Sequence, residues 1–520
     1  MSEDFERQDG LAVIIHLACP NERLSRLVSA SVAGMKRTRS GAPAGHGDSA
    51  DAVDRRLSDL ARQSAGHLAL ELAAMALDAS QSATRAHVQR LVQHAERRVA
   101  VAVTRPIDPV TAVAEGRKVA EAASQFFLAG ASSTSLFDSL CRGISVSLLH
   151  SFSDKTSRPN LSDLQFILNH LAICGYRAED DVIQEVLNYL SMLSLDPSTS
   201  PSIKSEITDI LSSCQREEYG YWLHMRSGYP LHQLWQHSAK KRKVRDIDVK
   251  LAPGTRRVSA AHRDSWKSHV LSGISDGQAP VILDLGCGYG VSLLGMSTSR
   301  KQLGLQHCIF MGCDLSAAAI AYANNLSDKW GLSNICRFSV APVEDFLVWF
   351  TDNYKGPIMK ILIQFPTPYK LPVGGSGSSV HQEKLSNSQL PSFDHGFMVT
   401  QKLIDNALEF LTHGGTLFIQ SNVEDVAVKI KRLVEASVSF TDSAFVRLKD
   451  EDNYGHEEHV TKDAAVTQRA VRWAEMGGER AEGEGWLSAS PFGLTARTET
   501  EAAYMLDNKR IFRIAWRRCR

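Results

Sequence analysis

The amino-acid sequence predicts an α/β fold in its C-terminal half, a doubly wound sheet of parallel strands, preceded by an all-α N-terminal region. Three observations predict it. A glycine-rich turn, VILDLGCGYG at 281–290, joins an apolar strand to a helix. Short apolar runs then alternate with helical patterns to the end of the chain, the signature of βαβ units. Before them, residues 54–234 carry helical periodicity almost throughout.

Within the helical region Leu57, Leu60, Ala61, Ala65, Leu68 and Leu72 recur near the helical period, as do Val88, Leu91 and Val92 and, later, Leu164, Ile167, Leu168 and Leu171. Turn-forming residues at 106–109, 130–134, 157–160, 175–179 and 196–202 divide the region into hairpins. Ser162-Asp163 and Asp180-Asp181 supply capping chemistry at two helix starts. No fixed repeat period runs through the array. It reads either as a platform for RNA or protein or as a bundle packed on the following domain.

The C-terminal half opens with a strand over 281–285, apolar enough to be covered on both faces. Gly286, Gly288 and Gly290 form the turn, and a helix begins at Val291. A second strand is expected over 308–312, leading to Asp314 and a helix over 317–326. A third covers 335–340, and a fourth covers 358–364 and runs into FPTPY at 365–369. A helix over 399–411, a Gly414-Gly415 turn and a fifth strand over 416–420 follow, ending at Ser421-Asn422. Strand tips carry the site in open sheets, so these loops converge on one crevice.

Composition bounds the reading. At 520 residues two or three domains are expected. We divide the chain into a flexible N-terminal segment and linker (1–53), a helical domain (54–235), a basic connecting segment (236–277) and the α/β domain (278–520), which carries a charged insertion over 447–485 with one helix near 464–476. Lys+Arg and Asp+Glu are both 58, so any polyanion must be met by a local patch. The one dense basic tract is Lys240, Lys241, Arg242, Lys243 and Arg245, followed by Arg256, Arg257, Arg263 and Lys267, either a solvated surface or a phosphate-binding segment. The nine cysteines are scattered without zinc spacing, which suggests a reducing compartment; no metal is expected. No run approaches the ~20 apolar residues of a membrane span, so no membrane is expected. The acidic start argues against a secretory or transit peptide, while the Ser/Arg/Ala-rich segment 23–39 keeps an organelle address open.

The glycine spacing is G-x-G-x-G, without the further small residue of a dinucleotide loop. A cofactor lacking a pyrophosphate does not need that residue. Asp284, at the end of the first strand, can meet the amino-acid ammonium of S-adenosylmethionine, and Asp314 can hold a ribose diol with both oxygens. Asp314 could instead cap the helix at 317–326, a role equally open to Ser316.

FPTPY resembles the F-P-D-P-W signature of the tRNA (guanine-N7)-methyltransferases of the TrmB type. GLSNICRF (331–338), HGGTLFIQSNVEDVA (413–427), PFGLTARTETE (491–501) and RIFRIAWRR (510–518) are similar to further stretches of that family in the same order. The resemblance implies a Rossmann-like methyltransferase sheet, S-adenosylmethionine as cofactor and tRNA as partner, with a helper protein subunit in some relatives. It implies that Asp284, Gly286, Gly288 and Asp314 bind the cofactor, that Ala341, Val343 and Glu344 flank its adenine, and that Gln364 lies at the cofactor site. Thr498 and Glu501, with Lys370 nearby, would contact the tRNA guanosine. Thr367 and Asn422 would stand at the reacting centre. Three family acids are replaced, by Ala341, Thr367 and Asn422, and the basic run after F-P-D-P-W gives way to a Gly/Ser loop over 374–379, with only His395 in a comparable place. Glu501 or Glu424 could supply the remaining negative charge. The expected activity is methyl transfer to guanosine N7 in tRNA. The alternatives are a catalytically weakened cofactor- or RNA-binding scaffold of the same fold and a methyltransferase for protein or small molecules.

Overall fold

Helices α1 (Ala65–Ser82), α2 (Arg85–Ala102), α3 (Pro109–Leu128), α4 (Thr134–Ser153), α5 (Leu161–Ile173), α6 (Asp181–Leu195) and α7 (Pro201–Ser213) form the N-terminal region of the computed structural model. The structure describes residues 65–213, 266–366, 397–449 and 481–519, apart from short breaks within these spans. The linker, the basic tract from Lys240 to Arg245, the loop bearing Thr367, Lys370 and His395, and the helix expected at 464–476 lie outside the described residues.

Local chemistry sets the helix starts. The Asp108 side chain accepts from Val110 N at 3.1 Å, with Pro109 as the first helical residue of α3. At α5 the cap is Asn160 rather than Ser162-Asp163: Asn160 Oδ1 accepts from Asp163 N, and Asp163 Oδ2 accepts from Asn160 N, a reciprocal capping box. The apolar run begins at Leu161, so the cap must precede it. Helix α3 is central and packs against α1, α4 and α5. Among the described residues no helix is long and apolar enough to cross a membrane.

The second half comprises α8 (Lys267–Val270), β1 (Val281–Leu285), α9 (Val291–Thr298), β2 (Ile309–Asp314), α10 (Ala317–Lys329), β3 (Cys336–Val340), α11 (Val343–Asn353), β4 (Ile358–Gln364), α12 (Gln401–Phe410), β5 (Leu411–Ser421), α13 (Glu424–Glu435), β6 (Phe445–Arg447), α14 (Glu499–Leu506) and β7 (Phe512–Arg518). The strands form one seven-stranded sheet in the order β3-β2-β1-β4-β5-β7-β6. Strands β1 to β5 pair in parallel, and β7 lies antiparallel between β5 and β6. Every residue of β1 is buried, as a strand covered on both faces requires. On one face Leu283, Ile361 and Ile419 pack with Phe346, Phe350 and Leu403 of the flanking helices.

Gly414-Gly415 departs from expectation. It does not precede the fifth strand but lies inside it, because Leu411 already pairs with Ile358 and Thr416 pairs with Lys360. Met359 alone stands between those positions on β4, against residues 412–415 on β5, so the glycines absorb a bulge, with Gly414 at φ +76°.

The helical bundle packs on the α/β part through α10. Tyr322 Oη donates to Ile173 O at 3.1 Å, Lys329 Nζ to Cys174 O at 2.9 Å and Trp330 Nε1 to Gly175 O at 2.9 Å. Phe127 meets the Tyr322 ring edge-on at 5.5 Å. These bonds satisfy the orphan carbonyls at the end of α5. Tyr322→Phe should therefore lower stability by about 1–2 kcal/mol, since it leaves a buried carbonyl without that donor; urea unfolding monitored by circular dichroism checks this.

Candidate active site

Three glycines shape the turn after β1. Gly286, Gly288 and Gly290 take φ values of +85°, +55° and +69°, and Gly286 N and Cys287 N both donate to Cys313 O, fastening the loop to β2. A Cβ on Gly290 would come within 2.4 Å of the Phe338 ring, and one on Gly286 within 2.9 Å of Met398 Sδ. Side chains are excluded at these two positions by close packing, while a Cβ on Gly288 would meet only Glu499 Oε1, at 3.3 Å.

Asp284, beside this loop, is 1% exposed. Gln364 Nε2 donates to its Oδ2 at 2.9 Å, while Oδ1 has no donor among the described residues. This bond bridges β1 and β4, where the strand order reverses, which is the place where open sheets bind ligands. Burial lifts the Asp284 carboxyl to about 8; the Gln364 bond opposes the shift, and Glu499 and Asp314 add to it. A buried acid with one unmet oxygen fits an ammonium group.

The bond to Asp284 is the end of a buried chain. Gln420 Nε2 donates to Gln364 Oε1 at 2.7 Å and to Glu501 Oε2 at 3.2 Å. Arg513 Nε donates to Gln420 Oε1 at 3.2 Å, and Arg513 Nη2 pairs with Glu501 Oε1 at 2.8 Å. Thr498 Oγ1 accepts from Glu501 N at 3.0 Å, so T-x-x-E also starts α14 in the manner of a capping residue. The chain spans β1, β4, β5 and β7 and ends on the segment that carries Thr498 and Glu501.

Asp314 is half-buried at the end of β2, and its two oxygens accept from Gly288 N at 3.1 Å and Ser316 N at 2.8 Å. The cap of α10 is Ser316, whose side chain accepts from Ala319 N. Ala341, buried, donates its N–H to Asp314 O, and Val343 and Glu344 open α11 beside it. The Glu344 carboxylate accepts from Thr400 Oγ1 and faces Lys402 Nζ at 3.6 Å. Asn422 is half-buried, directly after β5. Glu424 is buried, its Oε1 accepting from Ala481 N at 2.7 Å. Thr367 and Lys370 lie outside the described residues, but the start of their loop is defined: Phe365 takes φ +50°, strained for a bulky residue, and its N–H donates to Gln420 O at 2.8 Å.

Sequence reasoning missed Glu499, Gln420, Arg513 and the pair Leu315 and Val340. Glu499 reaches the glycine loop, its Oε1 lying 3.3 Å from where a Cβ on Gly288 would stand. Leu315 and Val340 are exposed apolar side chains at the tips of β2 and β3. An acid inside T-x-x-E and an apolar residue after Asp314 were the available signals; the contacts themselves cross most of the domain.

Residues 277–459 match a family model described as a methyltransferase domain. With the sheet order and the loop geometry, this part of the chain is a methyltransferase domain, and S-adenosylmethionine is its cofactor. The tRNA (guanine-N(7)-)-methyltransferase of Microcystis aeruginosa (strain NIES-843 / IAM M-2473) is 24% identical over 165 residues, covering 31% of this chain and 65% of that protein. Its counterpart in Trichormus variabilis (strain ATCC 29413 / PCC 7937) is 23% identical over 161 residues, covering 31% and 64%. The chain thus spans a little under two thirds of the length of these relatives. The crystal structure of TrmN from Thermus thermophilus is similar at 18% identity and a TM-score of 0.20, covering 33% of this chain and 39% of that one.

Asp314→Ala removes the partner of Gly288 N and, if Asp314 is the ribose ligand expected from the sequence, should weaken cofactor binding by on the order of hundredfold or more in titration calorimetry. The pH response has a defined sign. A cation binds ionised Asp284, which the free protein still protonates at pH 6, so cofactor affinity should rise between pH 6 and about 7.5, and rise less in Asp284→Asn. The ligand-free fold should behave oppositely. Its carboxyl keeps the proton to about 8, whereas an unfolded one releases it near pH ~4, so stability falls as pH rises through that window.

Proposed function

We propose that this domain transfers a methyl group from S-adenosylmethionine to N7 of a guanosine in tRNA. The observation that carries the reading is the hydrogen-bonded chain from Asp284 through Gln364 and Gln420 to Glu501, which joins the cofactor acid to the T-x-x-E element at one set of strand tips. The similarity to curated tRNA (guanine-N(7)-)-methyltransferases supports it.

The cofactor supplies an electrophilic methyl group on a sulfonium. Asp284 Oδ1 accepts from its ammonium, while Gln364 holds Asp284 in place through Oδ2. Asp314, steadied by two backbone amides, keeps acceptor capacity for a ribose diol. Ala341, Val343 and Glu344 would flank the adenine, with Leu315 and Val340, exposed at the tips of β2 and β3, offering it apolar faces. Guanine N7 presents an in-plane lone pair and carries no proton, so the site needs in-line placement and exclusion of water rather than a general base. Asn422, and Thr367 by the family resemblance, would hydrogen-bond the guanine edge. The family resemblance assigns Thr498, Glu501 and Lys370 to the tRNA guanosine and leaves the basic tract from Lys240 to neutralise phosphates; Thr498 and Glu501 are buried, so they would act by shaping that element rather than by open contact. Glu501 is paired with Arg513, so the two together are neutral and its oxygens serve to hold Gln420 and Arg513 in place.

The replaced acids at Ala341, Thr367 and Asn422 favour a second reading, a cofactor- and RNA-binding scaffold with little turnover. Incubation with methyl-labelled cofactor and bulk tRNA, followed by nucleoside mapping, separates the two. Label in 7-methylguanosine is expected; no label selects the scaffold, and label outside RNA refutes both. Asn422→Ala should lower kcat about tenfold to hundredfold with little change in cofactor affinity, as loss of one positioned hydrogen-bond partner does.

A further inference from the structure

Three carboxylates gather at the glycine loop: Asp284 from β1, Asp314 from β2 and Glu499 from the first turn of α14. Glu499 arrives there because its segment is tied down on both sides. Ser292 Oγ on α9 donates to Ala496 O at 2.8 Å, and Glu501 is held by Arg513. Among the described residues no side-chain cation pairs with any of the three. Asp284 Oδ1, buried and without a donor, points independently to a missing positive group. The charges feel one another: burial and then Asp314 lift Glu499 to about 7, and Glu499 in turn raises Asp284.

We propose that Glu499 faces the sulfonium of the methyl donor and makes the site prefer the donor over its demethylated product. The inference rests on the reading of Asp284 as the ammonium ligand and Asp314 as the ribose ligand. In the donor the sulfonium is bonded on one side to the amino-acid chain and on the other to the ribose carbon. A carboxylate lying over Gly288, within electrostatic reach of both acids, therefore meets the sulfur between them. On transfer the S–CH3 bond breaks, its electron pair stays on sulfur, and the acceptor lone pair forms the new bond to carbon. Sulfur becomes a neutral thioether, while ammonium and ribose are unchanged. Asp284 and Asp314 hold donor and product alike; Glu499 attracts only the donor, so its attraction vanishes when the product must leave.

The test is calorimetric, on the full chain, with three probes: S-adenosylmethionine, S-adenosylhomocysteine and sinefungin, which carries an ammonium in place of the sulfonium methyl. Glu499→Gln should weaken S-adenosylmethionine and sinefungin about tenfold and S-adenosylhomocysteine less than about twofold. Glu499→Asp, which keeps the charge, should retain most of the wild-type ratio between donor and product. If Glu499→Gln does not fold, Glu499→Ala serves the same comparison. Equal weakening of all three probes, or no weakening, overturns the proposal while leaving the cofactor site intact. Failure of the wild-type chain to bind any probe overturns the site reading as well.

Discussion

The hydrogen bond from Gln364 to Asp284 closes the gap between β1 and β4, the point where the sheet reverses its order, and it does so inside the protein rather than at its surface. Burying a carboxylate there is costly unless its oxygens are met. One oxygen is met by Gln364. That commits the amide nitrogen of Gln364, so its oxygen is free to accept from Gln420, whose own oxygen accepts from Arg513, which pairs with Glu501. Each partner in a buried polar chain orients the next, and a broken link leaves an unpaired group in a poorly solvated interior. The position of the T-x-x-E segment is thereby tied to the position of Asp284.

The remaining oxygen of Asp284 gives the site its sign. Burial and neighbouring carboxylates raise Asp284 and Glu499 together, so the ligand-free crevice keeps protons that a cation displaces on binding. A methyl donor that is itself a cation would match such a site, as proposed above, and its positive charge would offset the three close carboxylates. The glycine loop takes positive φ, and at Gly286 and Gly290 it packs so closely on Met398 and Phe338 that no Cβ fits.

The helical bundle bears on this geometry at one remove. It buttresses α10, the helix that follows Asp314, through Tyr322, Lys329 and Trp330. Tyr322 also meets Tyr289 of the glycine loop edge-on at 5.3 Å, so the aromatic contact continues from the bundle to the cofactor turn.

Local order was legible in the amino-acid sequence because it depends on local physics. The bounds of β1 and β4, the glycine turn and the acid ending β2 follow from strand periodicity, positive φ and the short offset to a ribose acid. The sequence also determined the order of the elements, and hence that Asp284, Asp314 and Gln364 would share one edge of the sheet. It could not determine that Gly414-Gly415 sits within β5, because a bulge exists only relative to the partner strand β4. Nor could it show that Glu501 is paired with Arg513 or that Glu499 reaches Gly288. Those contacts depend on the antiparallel register that sets Gln420 opposite Arg513, and register is decided by tertiary packing between segments far apart in the chain.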